Sequence, residues 1–270
     1  MDNRIEVLKK VKCFILDMDG TIYLGGKLIN GADEFIRCLE PFGLDHYFYT
    51  NNSSKNVPFY EEKLRKKQVP GGDGKVMISN HVILNYLNKN MPDARVFLLG
   101  TPYLREDFEK AGVNLVEEDP TLVVVGFDTT LAYDRLAKAC SFIRNGVPVF
   151  GVNPDLNCPT EDGFIPDCGS IFALITCSTG VEPQEYFGKP SRRTLEYVLD
   201  KTGYKEEEVA FVGDRLYTDM AVTQGTKAQS LLVLSGESTV EDIEKYNIHP
   251  TAIFSSVDEI RAMLCEIYGC

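Results

Sequence analysis

Short apolar runs rich in β-branched and aromatic residues alternate along the chain with longer amphipathic stretches. Near the start, an apolar run at 13–16 precedes a helical pattern at 31–41, an aromatic run at 47–49 and a charged helical pattern at 57–67. The C-terminal part repeats this: a helix over 191–201, a strand at 209–212, a helix following Leu216, a strand at 230–234 and a final helix near 257–267. Such alternation predicts βαβ units, whose crossovers make the strands parallel, so both ends are read as one core.

Between them lies a section with strands expected at 95–99, 122–125 and 148–150 and helices near 104–111, 131–144 and 170–177. It reads as a second α/β unit inserted into the first. The turn-rich run Pro70-Gly-Gly-Asp-Gly74 has the composition of a linker, but 75–79 still reads as a core strand. The expected boundaries therefore fall near 80 and 185: a discontinuous core of 1–80 and 186–270, and an inserted domain of 81–185.

A length of 270 residues accommodates two domains, and 44% hydrophobic with 25% charged residues is ordinary globular usage, which excludes disordered and membrane classes. The net charge of −12, without any Lys/Arg run, argues against nucleic acid. It leaves small anions open, because a bound metal and a few lysines reverse the field inside a cleft. The eight cysteines include no C-x-x-C pair and no zinc-finger spacing. With a charged N-terminal stretch and no long apolar run, the expected location is the reducing cytoplasm, where thiols stay free.

Asp17-Met-Asp-Gly-Thr21 directly follows the first apolar run. Two carboxylates at the carboxyl end of a parallel strand enter the crevice where open α/β sheets bind ligands. One can attack phosphorus while the other handles protons, splitting a hard hydrolysis into two easier steps. Far along the chain, the run at 209–212 leads into Gly213-Asp-Arg-Leu-Tyr-Thr-Asp219, which brings Asp214 and Asp219 to the same sheet edge. Oxygen-only donors of this kind suit magnesium. Thr50-Asn-Asn-Ser53 after a strand, and Gly188-Lys-Pro190 before a helix, supply hydroxyl, N–H and ammonium groups for a phosphate. His46, His81 and His249 have no ligand-like spacing and are assigned no role.

These four motifs, in this order, resemble the haloacid dehalogenase superfamily, and within it the NagD-like phosphatases with a C2-type cap. Asn153-Pro-Asp-Leu-Asn-Cys-Pro-Thr160 resembles a segment of that cap group, while Gly225-Thr-Lys227 departs from the Ala-Gly pair common among relatives. The resemblance implies a Rossmann-like parallel-sheet core with an inserted α/β cap that selects the substrate. It implies Asp17 as nucleophile and Asp19 as general acid and base. Magnesium would be held by Asp17, Asp214 and the main-chain carbonyl of Asp19, supported by Asp219 and Gly213. Thr50, Asn51 and Asn52 would bind the phosphoryl group, with Lys189 pairing Asp17 and phosphate. The expected reaction is hydrolysis of a small phosphate monoester, a sugar phosphate or nucleoside monophosphate, without nucleic-acid or membrane partners and with a homodimer allowed by analogy. The alternatives are a silent magnesium-binding regulator, and a phosphotransferase or mutase using the same aspartyl-phosphate.

Overall fold

The computed structural model describes residues 3–160 and 163–269. Two compact units emerge: one built from 1–50, 58–77 and 195–270, the other from 51–57 and 78–194.

In the first unit, Cys13–Leu16 and Val209–Gly213 are buried at every position, as continuous apolar strands are when helices cover both faces of a sheet. The six-stranded sheet runs Ala252–Phe254, Gln229–Val233, Val209–Gly213, Cys13–Leu16, Asp45–Thr50, Val76–Ile78. Pairing is parallel from Ala252–Phe254 across to Asp45–Thr50. Leu16 lies opposite both Val212 and Phe48, which sets the ends of three strands level. Helices Ala32–Leu39 and Val257–Tyr268 bury Phe35, Ile36, Ile260 and Leu264, and Phe14 meets Phe35 edge-on at 5.7 Å.

The second unit has its own parallel sheet, ordered Glu185–Tyr186, Val149–Gly151, Leu122–Val125, Arg95–Leu99, Asn114–Leu115. Val123, Val125, Phe97 and Leu99 pack with Leu136, Ile143, Phe172 and Ile175 from helices Tyr133–Arg144 and Cys168–Thr179. Asp167 caps the latter by accepting from the Cys168 N–H, and Thr101 caps Pro102–Lys110 by accepting from Leu104 N at 3.3 Å. Strands Asn157–Thr160 and Gly163–Pro166 pair antiparallel.

Among the described residues, no helix is long and apolar enough to cross a membrane. The expectation of uniformly free thiols needs correction: Cys265 is disulfide-bonded, whereas Cys13, Cys38, Cys140, Cys158, Cys168 and Cys177 are free. Cys270 lies outside the described residues.

Candidate active site

The first unit's sheet changes direction at Cys13–Leu16: the chain builds outward on one side through Asp45–Thr50 and on the other through Val209–Gly213. Ligands of open α/β sheets bind at such a switch point, beyond the carboxyl ends of the strands. Asp17 follows the central strand and donates its N–H to Val212 O at 2.8 Å, which fixes it beside the end of the neighbouring strand. Asp214 follows that neighbour.

Asp17, Asp214 and Asp219 each offer a carboxylate oxygen within 4.8 Å of the others. Asp214 and Asp219 are both 2% exposed. Burial first, and then the charge of Asp219, push the Asp214 carboxyl up to about 7. Its Oδ2 accepts from Glu237 N at 2.7 Å, whereas Oδ1 is buried without a hydrogen-bond partner among the described residues. Three carboxylates with one orphaned oxygen fit a hard divalent cation, which supplies the missing positive charge.

The local fold is shaped around this cluster. A Cβ on Gly20, whose φ is +86°, would sit 2.3 Å from Asp214 Oδ2; one on Gly236 would sit 2.0 Å from the same atom. Ser235 Oγ donates to Gly20 O at 2.7 Å, and Ser238 N donates to Asp214 O at 3.0 Å, so residues 235–238 clasp both acidic turns. The helix expected after Leu216 is instead a π-helical turn, Leu216–Met220, followed by a 3-10 turn at Ala221–Thr223. The wide turn folds Asp219 back onto the strand end, where its Oδ2 accepts from Arg215 N at 3.1 Å. Gly213 makes room, since a Cβ there would meet Asp219 Cγ at 2.3 Å.

Arg215 enters the same cluster from the motif's third position. Burial opposes its charge, but the carboxylates of Asp17 and Asp214 outweigh it and hold the guanidinium firmly protonated. Glu237 pairs with its Nε at 3.0 Å. Asp19 is half-buried on the turn below, with Lys63 Nζ 3.6 Å from its Oδ2. Thr50 is buried at the end of the adjoining strand.

Asn51, Asn52 and Lys189 belong to the second unit. Lys189 is 2% exposed, and Asn51 grips its main chain from both sides. Asn51 Oδ1 accepts from Lys189 N at 2.7 Å, while Nδ2 donates to Lys189 O at 2.8 Å and to Asp155 Oδ2 at 2.7 Å. Gly188 is required beside this clasp, because a Cβ there would approach Asn51 Oδ1 to 2.7 Å. Asn153 extends the network by donating to Asp155 Oδ2 at 3.0 Å and Asp167 Oδ1 at 2.9 Å, and by accepting from Ser53 Oγ at 2.7 Å. The Asn51 side chain thus spends its oxygen and its amide group on the Lys189 main chain and Asp155. Asn52 Oδ1 likewise closes an Asx turn by accepting from Ser54 N at 3.0 Å, and its Nδ2 contacts Cys158 Sγ at 3.3 Å.

Sequence reasoning reached Asp17, Asp19, Asp214, Asp219 and Lys189 through motif spacing. It missed Lys63, Gly236 and Glu237, for which no local pattern exists, and singled out Asn153 and Asp155 only as part of a segment resembling the cap group.

A parallel sheet with acidic turns at its switch point defines an α/β protein whose ligand site lies beyond the carboxyl ends of its strands. Residues 14–114 match the family model Haloacid dehalogenase-like hydrolase, and 186–260 match a second, HAD-hyrolase-like. An acid sugar phosphatase of Staphylococcus aureus is 35% identical over 258 residues, 95% of this chain and 99% of that protein. The crystal structure of a 4-nitrophenylphosphatase from Thermotoga maritima superposes with a TM-score of 0.90 at 42% identity, covering 95% of this chain and 98% of the other. A structure bearing the nagD name gives 0.88 at 40% identity, covering 94% and 98%. The chain belongs to the haloacid dehalogenase-like hydrolases, among the NagD-like phosphatases.

Proposed function

We propose that the protein hydrolyses a small phosphate monoester, a sugar phosphate before a nucleoside monophosphate, with magnesium as its cation. The observation that carries this reading is the trio Asp17, Asp214 and Asp219, gathered within 4.8 Å at the ends of adjacent parallel strands. Similarity to the staphylococcal acid sugar phosphatase supports the sugar-phosphate class.

In the first half-reaction a carboxylate oxygen of Asp17 attacks phosphorus. The bond from phosphorus to the leaving oxygen breaks, and that oxygen takes a proton from Asp19. In the second, Asp19 accepts a proton from water as the water oxygen attacks the aspartyl-phosphate, releasing inorganic phosphate and restoring the Asp17 carboxylate. Asp17 and Asp214, with the main-chain carbonyl of Asp19, would hold the magnesium ion, which neutralises negative charge on the phosphoryl group when bound. Thr50 supplies a hydroxyl and Lys189 a positive charge for phosphoryl binding, while Asn51 keeps Lys189 in place. Positioning and charge neutralisation then account for most of the rate.

The test measures phosphate release from a panel of sugar phosphates, nucleotides and an aryl phosphate, with magnesium or EDTA, for wild type and Asp17→Asn. Magnesium-dependent release that disappears in the variant is expected. Release that survives Asp17→Asn, or an inert wild type across the panel, would overturn the reading.

A further inference from the structure

Lys63 stands in the last turn of helix Val57–Lys66, far in sequence from the acidic motifs, yet its Nζ lies 3.6 Å from Asp19 Oδ2. The ammonium group is itself held. It sits 4.4 Å from the centroid of the Tyr23 ring and 5.9 Å from that of Tyr60, within cation–π range of both. Tyr23 is fully buried and rigidly tied to the acidic turn: Tyr23 N donates to Met18 O at 3.1 Å, and Gly20 N donates to Tyr23 O at 2.7 Å. Burial, and then the charge of Asp19, push the Tyr23 phenol well above its ordinary range, so the ring stays a neutral plate for a cation. Two aromatic faces thus fix a positive charge against a carboxylate whose side chain is 40% exposed. A side chain that open to solvent keeps several rotamers unless a neighbour selects one.

We propose that Lys63 is a positioning residue for Asp19, drawing Oδ2 toward itself and thereby presenting the other carboxyl oxygen to the leaving group. The proposal rests on the reading of Asp19 as general acid. Its step is the first half-reaction above: the Asp17–phosphorus bond forms, the phosphorus–oxygen bond breaks, and the departing oxygen takes the Asp19 proton.

Lys67, one turn on, provides the control. Its Nζ lies 4.8 Å from the same Tyr23 ring but donates to Gly25 O at 2.8 Å, so it shares the aromatic seat while bonding elsewhere.

The discriminating quantity is leaving-group dependence. A sugar alkoxide needs a proton as it departs, whereas 4-nitrophenolate leaves without one, so a misplaced acid harms the first substrate and spares the second. The experiment compares kcat/KM for a sugar phosphate and for 4-nitrophenyl phosphate in wild type, Lys63→Met, Lys63→Arg and Lys67→Met, with magnesium. Of the ~10²–10⁴-fold a general acid contributes, Lys63→Met is expected to forfeit about ten-fold on the sugar phosphate, mainly in kcat, and less than about two-fold on the aryl substrate. Lys63→Arg restores the ratio between substrates, and Lys67→Met leaves it unchanged. Because both substrates see the same folded fraction, the ratio is insensitive to partial misfolding. Equal losses on the two substrates, or a ratio shifted as much by Lys67→Met, would overturn the positioning role. A wild type inert toward both would instead overturn the hydrolase reading, and this proposal with it.

Discussion

Replacing Asp214 by Asn should stabilise the metal-free protein while removing its response to magnesium. Burial and Asp219 raise the Asp214 carboxyl from 3.8 to about 7. At ~1.4 kcal/mol per tenfold change, a shift of that size corresponds to a ceiling of about 4 kcal/mol. Because the folded-state value is raised, the folded protein keeps a proton that the unfolded chain has already released between pH 3.8 and about 7. Stability therefore falls as pH rises through that window, and the full penalty is present above it. Asn keeps the shape: its carbonyl can still accept from Glu237 N, and its NH₂ takes the place of the orphaned Oδ1. In EDTA at alkaline pH, Asp214→Asn should melt higher than wild type, by at most roughly 8–16 °C at about 2–4 °C per kcal/mol. The gap should close at acid pH, where wild-type Asp214 is itself protonated. Magnesium at a hundred times its Kd should return about 2.7 kcal/mol to wild type and little to the variant. Differential scanning fluorimetry across pH, with and without magnesium, reads all of this. A variant that melts below wild type in EDTA at alkaline pH would refute the account of charge repulsion.

Two further substitutions test the supports of the site. Gly236→Ala puts a methyl carbon 2.0 Å from Asp214 Oδ2 and should displace that carboxylate. The expected signs are loss of most of the magnesium-dependent rise in Tm and at least about a ten-fold fall in kcat, of the order that one lost catalytic interaction costs; an unchanged magnesium response would show that the cradle is dispensable. Asn51→Ala leaves the Lys189 N–H without its acceptor and removes one donor from Asp155. A lower urea midpoint corresponding to about 1–3 kcal/mol, with a raised KM, is expected, and a change below about 0.5 kcal/mol would count against the clasp.

Legibility in the sequence followed how local each signal is. The runs at 95–99 and 122–125 coincide with the strands Arg95–Leu99 and Leu122–Val125, since a parallel strand buried on both faces is written as one unbroken apolar run. Helix Ser79–Asn90 was not anticipated: its four asparagines are poor helix formers, and burial of Val82, Ile83 and Leu87 decides the matter instead. The acidic turns were readable because a strand end fixes where the next carboxylate goes. The clasp on Asp214 was not, because Ser235, Gly236 and Glu237 reach it only through the sheet's tertiary pairing. Asn51 shows the limit most clearly. Its place in a motif was evident, yet its side-chain partners at Asp155 and Lys189 lie more than a hundred residues away, beyond the reach of any local pattern.

The discontinuity of the first unit also bears on how the chain acquires its fold during synthesis. The central strand Cys13–Leu16 finds Asp45–Thr50 early, but its other neighbour begins at Val209. At ~5–20 residues per second, roughly 10–40 s pass before that neighbour has been made. Throughout this interval one edge of a fully buried apolar strand lacks its native partner, a state in which strands recruit foreign ones. The acidic turn at Asp17, held by Val212 O, can take its final shape only after the ribosome has delivered the far end of the chain.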